Sequence, residues 1–100
     1  MKLKSPKIYK NKATKYHPSI EITSNAKIWK NMPVTHKPTK KKRYIELKDN
    51  INPNDKQRKS YVQKNVREDP IRTRGQLLKK YHLSNEDLHQ IEEFLKNKKC

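Results

Sequence analysis

Basic side chains crowd the first four-fifths of this chain, and apolar ones are scarce throughout. Residues 1–81 hold 23 basic and 6 acidic side chains, net +17, whereas residues 82–100 hold 3 basic and 4 acidic, net −1. Leu, Ile, Val and Phe together number 19 in 100 residues. So little apolar surface puts the chain at the edge of the composition that stays disordered, because burial barely offsets ordering entropy. The length allows one small domain and excludes a large enzyme with its own cofactor domain. No apolar run approaches the ~18 residues of a membrane span.

A cation excess of this size attracts polyanions and gains affinity by releasing their counterions. Nucleic acid, DNA or RNA, is the expected partner. An anionic membrane is the other polyanion, and the expectation here is no membrane. Lys outnumbers Arg 21 to 5, a bias that an AT-rich genome would also produce. The single thiol, Cys100, cannot close an internal disulfide. MKLKSPKIYKNK carries charge but no apolar h-region, so no secretory signal is expected. The expected location is cytoplasmic, or associated with nucleoid or ribonucleoprotein.

Residues 1–19 read as a basic flexible tail, with Lys every two or three positions, Pro6 and Pro18 as breakers, and Tyr9 and Tyr16 as candidate base-stacking rings. Residues 20–70 read as short strands joined by a basic linker. Ile20-Glu21-Ile22-Thr23 alternates as a strand does, and Ser24-Asn25 suits a turn. Trp29, between Lys27 and Lys30, either stacks on a base or anchors the core. Lys37, Lys40, Lys41, Lys42 and Arg43 place five cations in seven residues, with Pro38 keeping the chain extended, and form the best phosphate-binding candidate. Tyr44-Ile45-Glu46-Leu47 and Ser60-Tyr61-Val62 suggest a second hairpin around a loop rich in Asn and Asp, in which Tyr44 or Tyr61 could stack. Lys56, Arg58, Lys59, Lys64 and Arg67 add charge there.

Residues 71–98 read as a helical hairpin. Thr73 and Gln76 fit a capping box, and Leu77, Leu78 and Tyr81 share one helical face, although Gly75 would weaken that helix. The second helix, 85–98, has stronger signals. Ser84 and Asp87 have capping-box spacing, Leu83 and Leu88 that of a hydrophobic staple, and Glu86, Asp87, Lys96, Lys98 and Lys99 suit the helix dipole. The spacing of Leu78, Tyr81, Leu83, Leu88 and Ile91 resembles a helix-turn-helix. The would-be recognition helix, however, carries Glu86, Asp87, Glu92 and Glu93, which repel phosphate. Its apolar residues Leu88, Ile91 and Leu95 are therefore candidates for protein contact or self-association. Arg72, Arg74, Lys79 and Lys80 are the better backbone contacts.

Nothing in the sequence composes a catalytic centre. His17, His36, His82 and His89 lack zinc-ligand spacing, and Gly75, the only glycine, rules out a phosphate loop of the glycine-rich kind. No cofactor and no enzyme activity are expected. The expected fold is a small α+β domain with short β-hairpins, a basic extended N-terminal arm and a C-terminal helical hairpin. The expected function is non-catalytic nucleic-acid binding of low sequence specificity, through Lys37, Lys40–Lys42, Arg43, Arg72, Arg74, Lys79 and Lys80, with Trp29 or Tyr44 stacking. The alternatives are a ribosomal-type ribonucleoprotein component, and an adaptor or inhibitor, of the phage or mobile-element accessory kind, docking on a protein through helix 85–98.

Overall fold

Alternation of apolar and polar residues along Ile20–Thr23 becomes the middle of a strand in the computed structural model, which describes residues 6–55 and 58–97. That strand, β2 (His17–Ser24), pairs antiparallel with β1 (Ile8–Asn11) on one side and β3 (Ile28–Thr35) on the other. Asn25 builds the β2–β3 turn: its side-chain oxygen accepts the N–H groups of Lys27 (2.7 Å) and Ile28 (2.9 Å), the local bonding that suits Asn to turns. The far edge of β3 is shared. Its first half pairs with β6 (Arg67–Pro70), and its last two residues pair with β5 (Tyr61–Gln63), which in turn carries β4 (Tyr44–Glu46). The last strand, β7 (Arg74–Leu77), returns to β1. The only α-helix among the described residues, α1, spans Asn85–Asn97.

The connection from β6 to β7 rolls the sheet. These strands border β3 and β1 respectively, so in a flat sheet they would lie about 19 Å apart, four inter-strand steps. Only the 3-10 turn Ile71–Thr73 joins them, and Pro70 to Arg74 spans at most about 14 Å. The strands β6-β3-β2-β1-β7 must therefore curl until their edges approach. Side-chain bonds cross the resulting concave interior. Trp29 Nε1 on β3 donates to Thr73 Oγ1 at 2.9 Å, and Asn11 Nδ2 on β1 donates to Asp69 Oδ2 on β6 at 3.2 Å.

The two faces of the rolled sheet differ in chemistry. The concave face buries Asn11, Ser19, Trp29, Asn31 and Asp69. Asn31 Nδ2 also donates to Asp69 (3.0 Å), Asn11 Nδ2 lies 3.1 Å from Asn31 Oδ1, and Arg67 grips Asp69 through Nε (3.1 Å) and Nη2 (3.0 Å). Among the described residues no buried side-chain polar atom lacks a partner, which makes a polar interior tolerable. Burial raises the pKa of Asp69, but the hydrogen bonds from Arg67, Asn31 and Asn11 and the Arg67 charge outweigh it. The net shift is downward from the ordinary carboxylate value. The convex face carries the apolar core: Ile8, Ile20, Met32, Val34, Ile45 and Val62 from strands, Leu47 and Ile51 from the following loop, and Ile91 and Leu95 from α1.

Several expectations are corrected by this architecture. Among the described residues the domain is mostly antiparallel sheet of seven strands with one C-terminal helix, and there is no helical hairpin. Residues 74–77, expected to open a helix, form β7, because pairing with β1 outweighs the helical spacing of Leu77, Leu78 and Tyr81. Nor do residues 8–19 form a tail. From residue 8 the arm is sheet, since Ile8 enters the apolar core and Asn11 the polar interior. Residues 1–5 of that arm, Lys56, and Lys98, Lys99 and Cys100 at the chain end lie outside the described residues.

Candidate nucleic-acid interface

The densest run of cations connects β3 to β4, and the structure ties it down as a shaped loop. The Lys37 N–H donates to Thr35 Oγ1 (3.1 Å), and His36 Nδ1 donates to the Lys59 carbonyl (3.2 Å). Further on, Thr39 N–H donates to the Tyr44 hydroxyl (3.2 Å), and Lys64 N–H donates to the Arg43 carbonyl (2.9 Å). The Thr39 hydroxyl and amide, bonded to the Tyr44 oxygen, and the nearby Lys42 charge lower the Tyr44 pKa from its ordinary value, against a small upward push from burial. Lys37, Lys40, Lys41, Lys42 and Arg43 themselves stand exposed.

Two adjoining grooves open beside this loop. One, of about 240 Å³, is lined by His17, Lys37, Lys42, Tyr44 and Arg67, with Thr14 and Thr39 at its sides. The other, of about 480 Å³, shares His17, Thr35 and Lys37 and adds His36 and Arg58. No carboxylate among the described residues lines either groove. Five carboxylates are engaged elsewhere: Glu86 with Lys48 (3.0 Å), Glu46 with Lys59 (3.1 Å), Asp55 with Arg58 (3.5 Å), Asp69 with Arg67 (3.0 Å) and Glu21 with Arg74 (2.5 Å). Hydrogen bonds from Lys48 to Glu86 and from Lys59 to Glu46 raise the pKa of both lysines. Among the described residues, no carboxylate forms an ion pair with any of the five loop cations. They are therefore free to meet an external anion.

The other candidates are dispersed. Arg74 is held by Glu21 and Ser24 and lies 4.8 Å over the Tyr9 ring, so it braces the sheet. Arg72 is exposed on the 3-10 turn, and Lys79 and Lys80 are exposed beyond β7. Trp29 is 0% exposed, sits edge-on to Tyr9 at 6.0 Å and cannot stack on a base. Ile91 and Leu95 are core residues, which removes them as partner contacts, because the apolar stripe of α1 is already covered by the sheet. Leu88 is half-buried and lines a separate groove with Leu78, Tyr81 and Leu83. Sequence reasoning did not place His17, His36, Arg58 and Arg67 in a common site. They come from segments far apart in the chain, and nothing local announces their meeting.

No group of His, Cys, Asp or Glu among the described residues is placed to hold a metal ion. Nor is any described helix long and apolar enough to cross a membrane. What the fold and groove define is a small rolled antiparallel sheet with one helix and a basic loop beside a carboxylate-free cleft. Comparison with protein-family models, with curated proteins and with solved structures finds no match to this chain.

Proposed function

We propose that this chain is a non-catalytic nucleic-acid-binding protein of low sequence specificity, whose main contact is the β3–β4 loop. The observation that carries this reading is the pattern of ion pairing. Carboxylates pair with Lys48, Arg58, Lys59, Arg67 and Arg74, whereas among the described residues Lys37, Lys40, Lys41, Lys42 and Arg43 carry no ion pair and are the unpaired cations packed most densely along the chain, five in seven positions. Five exposed cations on a tethered loop suit a phosphate backbone, which offers regularly spaced charge and little sequence information. Arg72, Lys79 and Lys80 are secondary contacts.

The test is oligonucleotide binding across a salt series, comparing the wild type with a variant carrying Ala at all five loop positions. The wild type should lose affinity steeply with salt, with a log–log slope of about −0.9 per phosphate contacted on duplex. The loop variant should lose most of that slope while remaining cooperatively folded, because each exposed side chain contributes within about 0.5 kcal/mol. A variant of Arg72, Lys79 and Lys80 should lose less. A wild type that binds no oligonucleotide at modest ionic strength, or a loop variant with undiminished binding, overturns the proposal.

A further inference from the structure

Tyr16 is the one large apolar side chain strongly exposed among the described residues, at 61%. It is also held in an uncommon backbone conformation. Lys15 (φ 56°) and Tyr16 (φ 65°) are both left-handed, a region where residues with a Cβ are disfavoured and bulky ones are rare. The surrounding turn over-determines this geometry. The Asn11 carbonyl accepts the Tyr16 N–H (2.8 Å) and the Thr14 hydroxyl (3.3 Å), and the Asn11 side-chain oxygen accepts the Ala13 N–H (2.9 Å). The amide nitrogen of Asn11 is bonded into the buried Asn31–Asp69 network. The β1–β2 turn is thus anchored to the polar interior, and its strained residue presents an aromatic ring to solvent.

The position of that ring bears on the partner. Thr14 and His17, which flank it in sequence, both line the smaller basic groove, so the Tyr16 Cα sits one residue, about 3.8 Å, from the groove wall. Tyr16 lines neither groove, but its exposed ring springs from a Cα one residue from the wall of a carboxylate-free cationic channel, within a nucleotide's length of it. A ring beside such a channel is an arrangement that suits single strands. The channel follows the backbone while a base stacks on the ring. In a duplex the base faces are already stacked on one another, so the ring gains nothing there.

From this placement, and resting on the nucleic-acid reading above, we infer that the partner is single-stranded nucleic acid, threaded past Lys37 and Lys42 with an unpaired base stacked on Tyr16. The strained turn then serves to display the ring.

The experiment measures anisotropy of labelled twelve-nucleotide probes (oligo-dT, oligo-rU and a duplex of equal length) against the full chain and its Tyr16 variants at fixed salt. The wild type should bind the single strands more tightly than the duplex, and the dT and rU arms compare a DNA with an RNA strand. Tyr16→Ala should weaken single-strand binding about tenfold, within the range that stacking of one base supplies, and change duplex binding less than twofold. Tyr16→Phe should retain single-strand affinity. Tyr16→Gly should raise the unfolding temperature by relieving the left-handed strain while losing single-strand affinity, so stability and binding move in opposite directions. Duplex preference in the wild type, or equal losses on single strand and duplex in Tyr16→Ala, overturns this inference and leaves the loop proposal standing. Absence of binding to every probe overturns both.

Discussion

The carboxylate of Asp87 accepts the backbone N–H of Lys48 at 2.7 Å and, through its other oxygen, that of Asp49 at 3.1 Å. Asp87 is fully buried in the first turn of α1. In a capping box the third helical residue usually reaches back to its own cap. Here the Ser84 hydroxyl accepts the Asp87 N–H (3.2 Å) as expected, but the carboxylate turns away to clasp the chain leaving β4. One side chain thereby docks the helix on the sheet. Asp87→Ala leaves two backbone N–H groups without an acceptor and should cost about 3 kcal/mol in urea unfolding, against about 1 kcal/mol for Ser84→Ala. Equal costs would mean that the clasp contributes no more than the cap.

Asp69 should make the acid limb of the stability curve steep. Its pKa in the folded chain lies below the ordinary value because the hydrogen bonds from Arg67, Asn31 and Asn11 outweigh the effect of burial. A depressed carboxylate contributes stability that is complete above the unfolded-state value. That contribution is lost as the pH falls from roughly 4 through the folded value. Asp69→Asn should therefore be less stable than the wild type at pH 7 by about 2 kcal/mol. The gap should narrow as unfolding is repeated between about pH 5 and pH 2. A gap independent of pH would show that the carboxylate is not ionised in the fold.

Trp29 reports on the interior and not on the ligand. With its ring fully buried and its Nε1 bonded to Thr73, its emission should be blue-shifted and resistant to acrylamide quenching. Saturating oligonucleotide should leave it unchanged. Quenching by nucleic acid that is lost in the loop variant would place the indole at the contact after all.

Gly75 separates a strand from a helix by the sign of one substitution. A Cβ there would lie 2.8 Å from the Lys10 carbonyl oxygen across the β1–β7 pair, so backbone would have to move. Gly75→Ala should cost about 1–3 kcal/mol by overpacking. In a helix the same change would stabilise by about 1 kcal/mol.

Local pattern revealed those parts of the molecule whose chemistry is local. Alternation at Ile20–Thr23 lies in β2, Tyr44–Glu46 forms β4, and the signals around Ser84 and Asp87 coincide with the start of α1. The strands β1 and β7 were hidden for a physical reason. Pattern reading assigns polar residues to solvent, but the concave face of this sheet is built from Asn11, Ser19, Asn31 and Asp69 bonded to one another. A strand that alternates Ile8 with lysine and buried asparagine therefore looks like a tail. Leu77 and Leu78 gave a helical spacing because it cannot be seen locally that Tyr9 pairs with Leu77. The site divides in the same way. Lys37–Arg43 is one contiguous run and was visible, whereas His17 and Arg67 join it only through the pairing of β2, β3 and β6.

The pairing of β1 with β7 also governs how the molecule comes into being. Synthesis delivers residues 8–11 early, but their outer neighbour is not made until residues 74–77. Until then the nascent chain carries an unfinished, lysine-studded border and an open polar hollow that awaits Asp69 and Thr73. Completion waits on the translation of residues 69–77, so products truncated before them should be recognised as unfolded and not persist as working fragments.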